Sequence, residues 1–107
     1  MSYEAIDKIL TPWLKRHGLH VFTMYREEEV RSTDVVDNAG DRYQIVISES
    51  DESGKVRVFA GNLKSKRKRK RREYESTLSD LERMLEEAYS QIMEWVKEEG
   101  HTRTPVL

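Results

Sequence analysis

What most constrains the fold of this chain is a change of hydrophobic period part-way along it. Residues 42–48 alternate, placing Tyr43, Ile45 and Ile47 on one face of an extended run and Gln44, Val46 and Ser48 on the other. Beyond residue 73 the period lengthens: Tyr74, Leu78, Leu81, Leu85, Ala88, Ile92 and Trp95 recur at spacings of three and four, the stripe of an amphipathic helix. Met84, Tyr89, Met93 and Val96 widen that stripe beyond a coiled-coil seam, which favours burial against a sheet, although its regularity also suits a helix–helix dimer. Neither period satisfies the other backbone, so the chain must contain both sheet and helix. Thr77 with Asp80, or Ser79 with Glu82, offers a capping box at the start of the second helix, and Gly100 a stop.

The remaining segments fit around these two. Ser2 can cap a first helix carrying Ala5, Ile6, Ile9 and Leu10, continued by Trp13 and Leu14. Pro12 either interrupts that helix or opens a second short turn capped by Thr11, and Gly18 marks its end. Residues 19–25 and 30–36 read as strands, residues 37–41 and 51–54 as turns. Residues 55–60 form another strand, with Val56, Val58 and Ala60 on one face and Arg57 and Phe59 on the other. Short turns between alternating runs predict an antiparallel meander. The expected fold is therefore α+β: a three- or four-stranded antiparallel sheet flanked by an N-terminal and a longer C-terminal helix, in the order α-β-β-(β)-β-α. With 107 residues and no repeat or linker, residues 1–100 are expected to form a single domain, followed by a flexible tail over residues 101–107.

Charge is distributed unevenly. Residues 64–72, expected between the last strand and the C-terminal helix, carry Lys64, Lys66, Arg67, Lys68, Arg69, Lys70, Arg71 and Arg72. Of 19 basic residues these are eight, leaving 11 against 20 acidic ones, a body of formal charge −9. So dense a run repels itself unless something neutralises it. Three outcomes are open: a solvated loop, pairing with carboxylates such as Glu82, Glu86, Glu87, Glu94, Glu98 and Glu99, or capture of a polyanion, nucleic acid above all. A nuclear-import signal is a fourth. The helix–strands–helix order with a basic stretch before the last helix is similar to the double-stranded RNA-binding domain in element order only. That family's glycine-proline-histidine loop has no match here, and a large acidic helix replaces its small alanine-rich one. The glycine and aromatic spacing of an RRM strand is likewise missing from residues 55–60.

A second candidate surface depends on how the sheet is faced. If the helices cover the Tyr43, Ile45, Ile47, Val56 and Val58 face, then Val46 and Phe59 point away, joined by Phe22 and Met24, and form an apolar patch for a partner or a dimer mate. If the helices lie on opposite faces, or the first strand takes the reverse register, no such patch forms.

Catalytic chemistry finds no foothold. The chain has no cysteine for a thiolate site or nucleophile. Glu27, Glu28, Glu29, Asp34, Asp37 and Asp41 supply carboxylates without an ordered acid–base pair, and the glycines are scattered rather than gathered into a phosphate cradle. His17 and His20 have a spacing that suits a metal, but Gly18 lies between them and no third ligand is apparent. No enzyme activity, cofactor, metal or small-molecule substrate is expected. Residues 1–4 lack the features of a signal peptide and no apolar run approaches a membrane span, so a cytoplasmic location is expected. The expected function is a non-enzymatic binding or adaptor module that engages nucleic acid or another polyanion through its basic segment. The alternative is a protein–protein or self-associating module, binding an acidic protein or forming a homodimer through the sheet face or the acidic helix.

Overall fold

A computed structural model describes residues 3–25, 28–49, 55–62 and 70–103, with the side chains of residues 24, 25, 28 and 29 excepted. Helix α1 (Tyr3–His17) is followed by strands β1 (Phe22–Tyr25), β2 (Glu28–Val36), β3 (Arg42–Glu49), β4 (Lys55–Asn62) and β5 (Arg71–Thr77). A 3-10 turn (Leu78–Asp80) then leads into helix α2 (Leu81–Glu98). The strands form one antiparallel sheet in the order β1-β2-β3-β4-β5, each paired with its neighbours in sequence. This is the α+β helix–sheet–helix fold that the periodicity predicts, with one strand more.

The extra strand is the chief departure. Tyr74 belongs to β5, where it sits opposite Val58, and not to the helical stripe. Its distances to Leu78 and Leu81 mimic helical spacing, while β5 is polar on both faces and shows no alternation of hydrophobicity to betray it. The basic run therefore does not precede the last helix. It spans the β4–β5 connection, and Arg71 and Arg72 are strand residues. Neither predicted capping box forms: no side chain caps the 3-10 turn or α2, and the Asp80 carboxylate pairs with Arg83 at 2.9 Å instead.

Both helices lie on one face of the sheet. Ile6, Leu10, Trp13 and Leu14 of α1 and Leu81, Leu85, Ala88, Ile92 and Val96 of α2 are buried with Tyr43, Ile45, Ile47, Val56, Val58 and Ala60 in a single cluster. At roughly 1.5–3 kcal/mol for each large apolar side chain, this one layer accounts for most of the hydrophobic stabilisation. Pro12 lies within a continuous α1 on its exposed side, so the carbonyl it leaves unpaired, that of the exposed Lys8, faces solvent. Both helices end as the glycines predict. Gly18 and Gly100 have φ of 63° and 72°, and in each case the following amide reaches back five residues, Leu19 N–H to Leu14 O (2.9 Å) and His101 N–H to Val96 O (3.0 Å).

The C-terminal tail, expected to be flexible from residue 101, is tied down as far as Arg103. Asn38 donates its amide N–H to Thr102 O (2.8 Å), and Arg103 pairs with Asp37 as an isolated bridge. The Arg103 guanidinium donates to His17 O (2.7 Å) and to the Tyr89 hydroxyl (2.9 Å). Residues 104–107 lie outside the described residues.

Candidate anion-binding face

Antiparallel partners directly opposite one another project to the same side of a sheet, so the register maps the face that the helices leave open. One row crosses all five strands: Phe22, Ser32, Val46, Phe59 and Glu73. A second holds Asp34, Gln44, Gly61 and Arg71, and a third Ser48, Arg57 and Glu75. Of the apolar patch anticipated for an uncovered face, Val46 and Phe59 are half-buried on it, and Phe22, 49 % exposed, stands at its edge. Met24 is in β1, and its side chain lies outside the described set.

Phe59 is the centre of this face. Its ring leans over Gly61, where a Cβ would lie 3.0 Å from Cζ of that ring and 2.9 Å from the Lys70 carbonyl oxygen. No larger residue fits between the ring and the sheet. The Arg71 guanidinium carbon lies over this ring, 4.7 Å from its centroid, a cation–π contact. Arg71 also donates to Glu73, and Lys55 pairs with Glu75 at 2.9 Å. Arg57 is exposed and forms no ion pair among the described residues. Val46, Ser48, Arg57, Phe59 and Arg71 line a shallow cavity of about 570 Å³ with Val58, Glu73, Tyr74 and Glu75. Along the same face one Asp34 carboxylate oxygen is buried without a partner among the described residues, and Arg42 lies 3.7 Å from the other. Burial pushes the Asp34 carboxyl above its ordinary value, with the Arg42 charge opposing.

The root of the basic run is divided by strand alternation. The β4 and β5 backbones are pinned where the connection leaves the sheet: Asn62 N–H donates to Lys70 O (3.2 Å), and Lys70 N–H to Asn62 Oδ1 (3.0 Å). Lys70 and Arg72 turn towards α2. The Lys70 ammonium lies 3.3 Å from Glu99 and 3.5 Å from Glu98, and Arg72 donates to Gln91 (2.9 Å) with its guanidinium 5.4 Å from the Tyr74 ring centroid. Arg71 turns to the open face. Lys64, Lys66, Arg67, Lys68 and Arg69 lie outside the described residues, in a connection whose two ends are held together at this end of the sheet.

Two further polar clusters complete their bonding inside the fold. Glu86 of α2 accepts from the indole N–H of Trp13 (2.6 Å) and bonds His17 Nε2 (2.8 Å), while the His17 ring packs between Trp13 and Tyr89 at 4.6 and 4.5 Å. The His17 bond, reinforced by the Trp13 bond and by the His17 and Arg16 charges, holds the Glu86 carboxyl below its ordinary value against the effect of burial. His17 thus has a carboxylate partner, and exposed His20 is not part of this cluster. Asp37, Asp41 and His101 bring ligand-type atoms within 4.8 Å of one another. The buried Asp37 carboxylate is nonetheless taken up. One oxygen accepts from the Ala39 and Asp41 amides (2.9 and 2.8 Å), and the other bonds His101 Nδ1 (3.0 Å). This arrangement latches the C-terminal segment to the β2–β3 turn.

Sequence reasoning found Arg57 and Phe59 on one face but missed that Arg71 joins them. The sequence signal available was the Gly61-Asn62 pair, a turn-type dipeptide at the end of β4. Among the described residues no helix is long and apolar enough to cross a membrane. Comparison of the chain with protein-family models, with curated proteins and with solved structures found no match, so the reading of this face rests on its own residues.

Proposed function

We propose that the chain is a cytoplasmic, non-enzymatic binding module that engages a polyanion, nucleic acid foremost, at the β4–β5 end of its sheet. Lys64, Lys66, Arg67, Lys68 and Arg69 supply the charge, and Arg71 and Arg57 extend it onto the open face. The observation that carries this reading is the pinned hairpin: Asn62 and Lys70 hold the ends of a connection bearing five cations, on a body that is otherwise strongly acidic. The acidic body would keep a polyanion off most of the remaining surface, so contact is confined to this end. Lys70 and Arg72 are excluded from the binding set because both are turned to α2, and Lys70 is already paired there.

Phosphate contacts release condensed counterions, so five engaged cations give a log–log salt slope of about −3.5 on a single strand and about −4.5 on a duplex. Fluorescence anisotropy with labelled oligonucleotides between 50 and 200 mM salt is expected to show a loss of about 100-fold on a single strand. Replacing those five residues with Ser should abolish most of the slope. Absence of binding at 50 mM salt, or a slope unchanged in the Ser variant, refutes the reading. The second reading, self-association through the open face, is favoured by one observation: Val21 and Phe22 are 42 % and 49 % exposed. A dimer in sedimentation that persists in salt and dissociates with Phe22→Ser would support it.

A further inference from the structure

The open face contains more than charge. It has an apolar floor of Val46 and Phe59, a guanidinium laid against the Phe59 ring, and a second arginine one row away in the same cavity. A bare polyanion site has no use for the floor. Duplex nucleic acid does not use it either, because its bases are stacked inside and its exterior presents phosphate. An unpaired base uses both parts: it lays its π-face on a flat cationic or aromatic group and leaves its phosphate to a neighbouring cation.

We propose that the cavity floored by Val46 and Phe59 and walled by Arg57 and Arg71 is a base-stacking site for single-stranded nucleic acid. The inference rests on the polyanion reading above and names its ligand. The Phe59 ring leans on Gly61, and the Arg71 guanidinium lies over the ring. The base therefore stacks on the outer side of the Arg71 guanidinium, as a third layer over ring and cation. Arg57, without an ion pair among the described residues, takes the adjoining phosphate. The two carboxylates that would repel it are already held, Glu73 by Arg71 and Glu75 by Lys55. A flexible strand touching only this face also avoids the acidic remainder of the body, which a rigid duplex crossing it would not. Phe22, in the same cross-sheet row as Phe59, offers a second apolar surface three strands away.

The test measures binding of the full chain to three probes at 50 mM salt: a labelled 12-nucleotide single strand, the same strand made abasic, and inorganic polyphosphate. The expected result is binding of the base-bearing strand roughly 5- to 150-fold tighter than the abasic one. Phe59→Leu, which keeps apolar volume but removes the ring, should erase that preference and leave abasic binding unchanged. Arg57→Gln, at an exposed site that puts no fold at risk, should weaken the base-bearing strand more than polyphosphate. Equal binding of all three probes, unaltered by either variant, overturns the base-stacking site while the polyanion reading stands. Binding of none overturns both. An open face occupied by a second copy of the chain, released by Phe22→Ser, also overturns the stacking site.

Discussion

Glu86→Ala tests how the helical layer is held together. Trp13 is fully buried, and the acceptor of its indole N–H is one carboxylate oxygen of Glu86, 2.6 Å away; that oxygen is also 2.8 Å from His17 Nε2. Leaving a buried donor without a partner costs about 1–3 kcal/mol. The Glu86 side chain is 48 % exposed, so its removal opens a path by which water can reach the indole and lowers the cost towards the bottom of that range. A loss of about 1–2 kcal/mol is expected, and in a domain of this size it lowers the unfolding midpoint by about 4–8 °C. Glu86→Gln keeps an oxygen acceptor for the indole and should recover much of the loss. Thermal unfolding followed by circular dichroism at pH 7 compares the three proteins.

The same residue contributes a pH dependence whose sign follows from its lowered carboxyl. The folded-state value lies below the unfolded one, so the stabilisation is fully present above the ordinary glutamate value of about 4.3 and is lost as pH falls through the folded value. The gap between wild type and Glu86→Gln should therefore narrow on acidification below about pH 4.3. An Ala variant that melts within about 2 °C of wild type, the scale of a small surface change, or a Gln variant as damaged as the Ala one, refutes the reasoning, since either result means that the Trp13 bond contributes nothing.

Asp34 gives the opposite sign. Its carboxyl is raised by burial, so its ionised form costs stability at neutral pH, and Asp34→Asn should raise the chemical-denaturation midpoint at pH 7 by an amount that shrinks towards pH 4 (about the ordinary aspartate value). A variant less stable than wild type at pH 7 contradicts this. Gly61→Ala should destabilise by about 1–3 kcal/mol, because the new methyl meets the Lys70 carbonyl oxygen at 2.9 Å and the Phe59 ring at 3.0 Å, and neither contact relaxes without moving the hairpin. An unaltered unfolding midpoint would mean that the ring is free to lift off the sheet.

The parts of this fold that could be read in advance are those in which period and burial coincide. Tyr43, Ile45 and Ile47 alternate because every second side chain of β3 meets the helices, and α2 from Leu81 onward repeats because one stripe meets the sheet. Gly18 and Gly100 mark helix ends because their positive φ is a local requirement. β5 was hidden for the converse reason. It is an edge strand whose helix-facing side chains are Arg72, Tyr74 and Ser76, none of them aliphatic, and its pairing with β4 comes from backbone hydrogen bonds that leave no trace in side-chain hydrophobicity. The placement of both helices on one face was undetermined, because Val46 and Phe59 are apolar enough to be buried there. The anchored tail was unreadable too. The bonds of Asp37 and Asn38 to His101, Thr102 and Arg103 join groups some 64 residues apart, and no local pattern reports a contact at that separation.

The divided root of the basic run also decides how its function is to be separated from its fold. Glu98 and Glu99 sit at the C-terminal end of α2, where the helix dipole disfavours negative charge. The Lys70 ammonium, only 17 % exposed, lies against both and offsets that repulsion. Lys70 therefore acts on the stability of α2, and Arg72 braces Gln91 on the same helix. A variant neutralising all eight cations would lose helix stability together with any affinity, and its failure to bind would say nothing about which was lost. Lys64, Lys66, Arg67, Lys68 and Arg69 are the cations between the pinned residues Asn62 and Lys70, so replacing those five alone changes the charge offered to a ligand while Lys70, Arg71 and Arg72 keep the side chains that meet Glu98 and Glu99, Phe59 and Gln91.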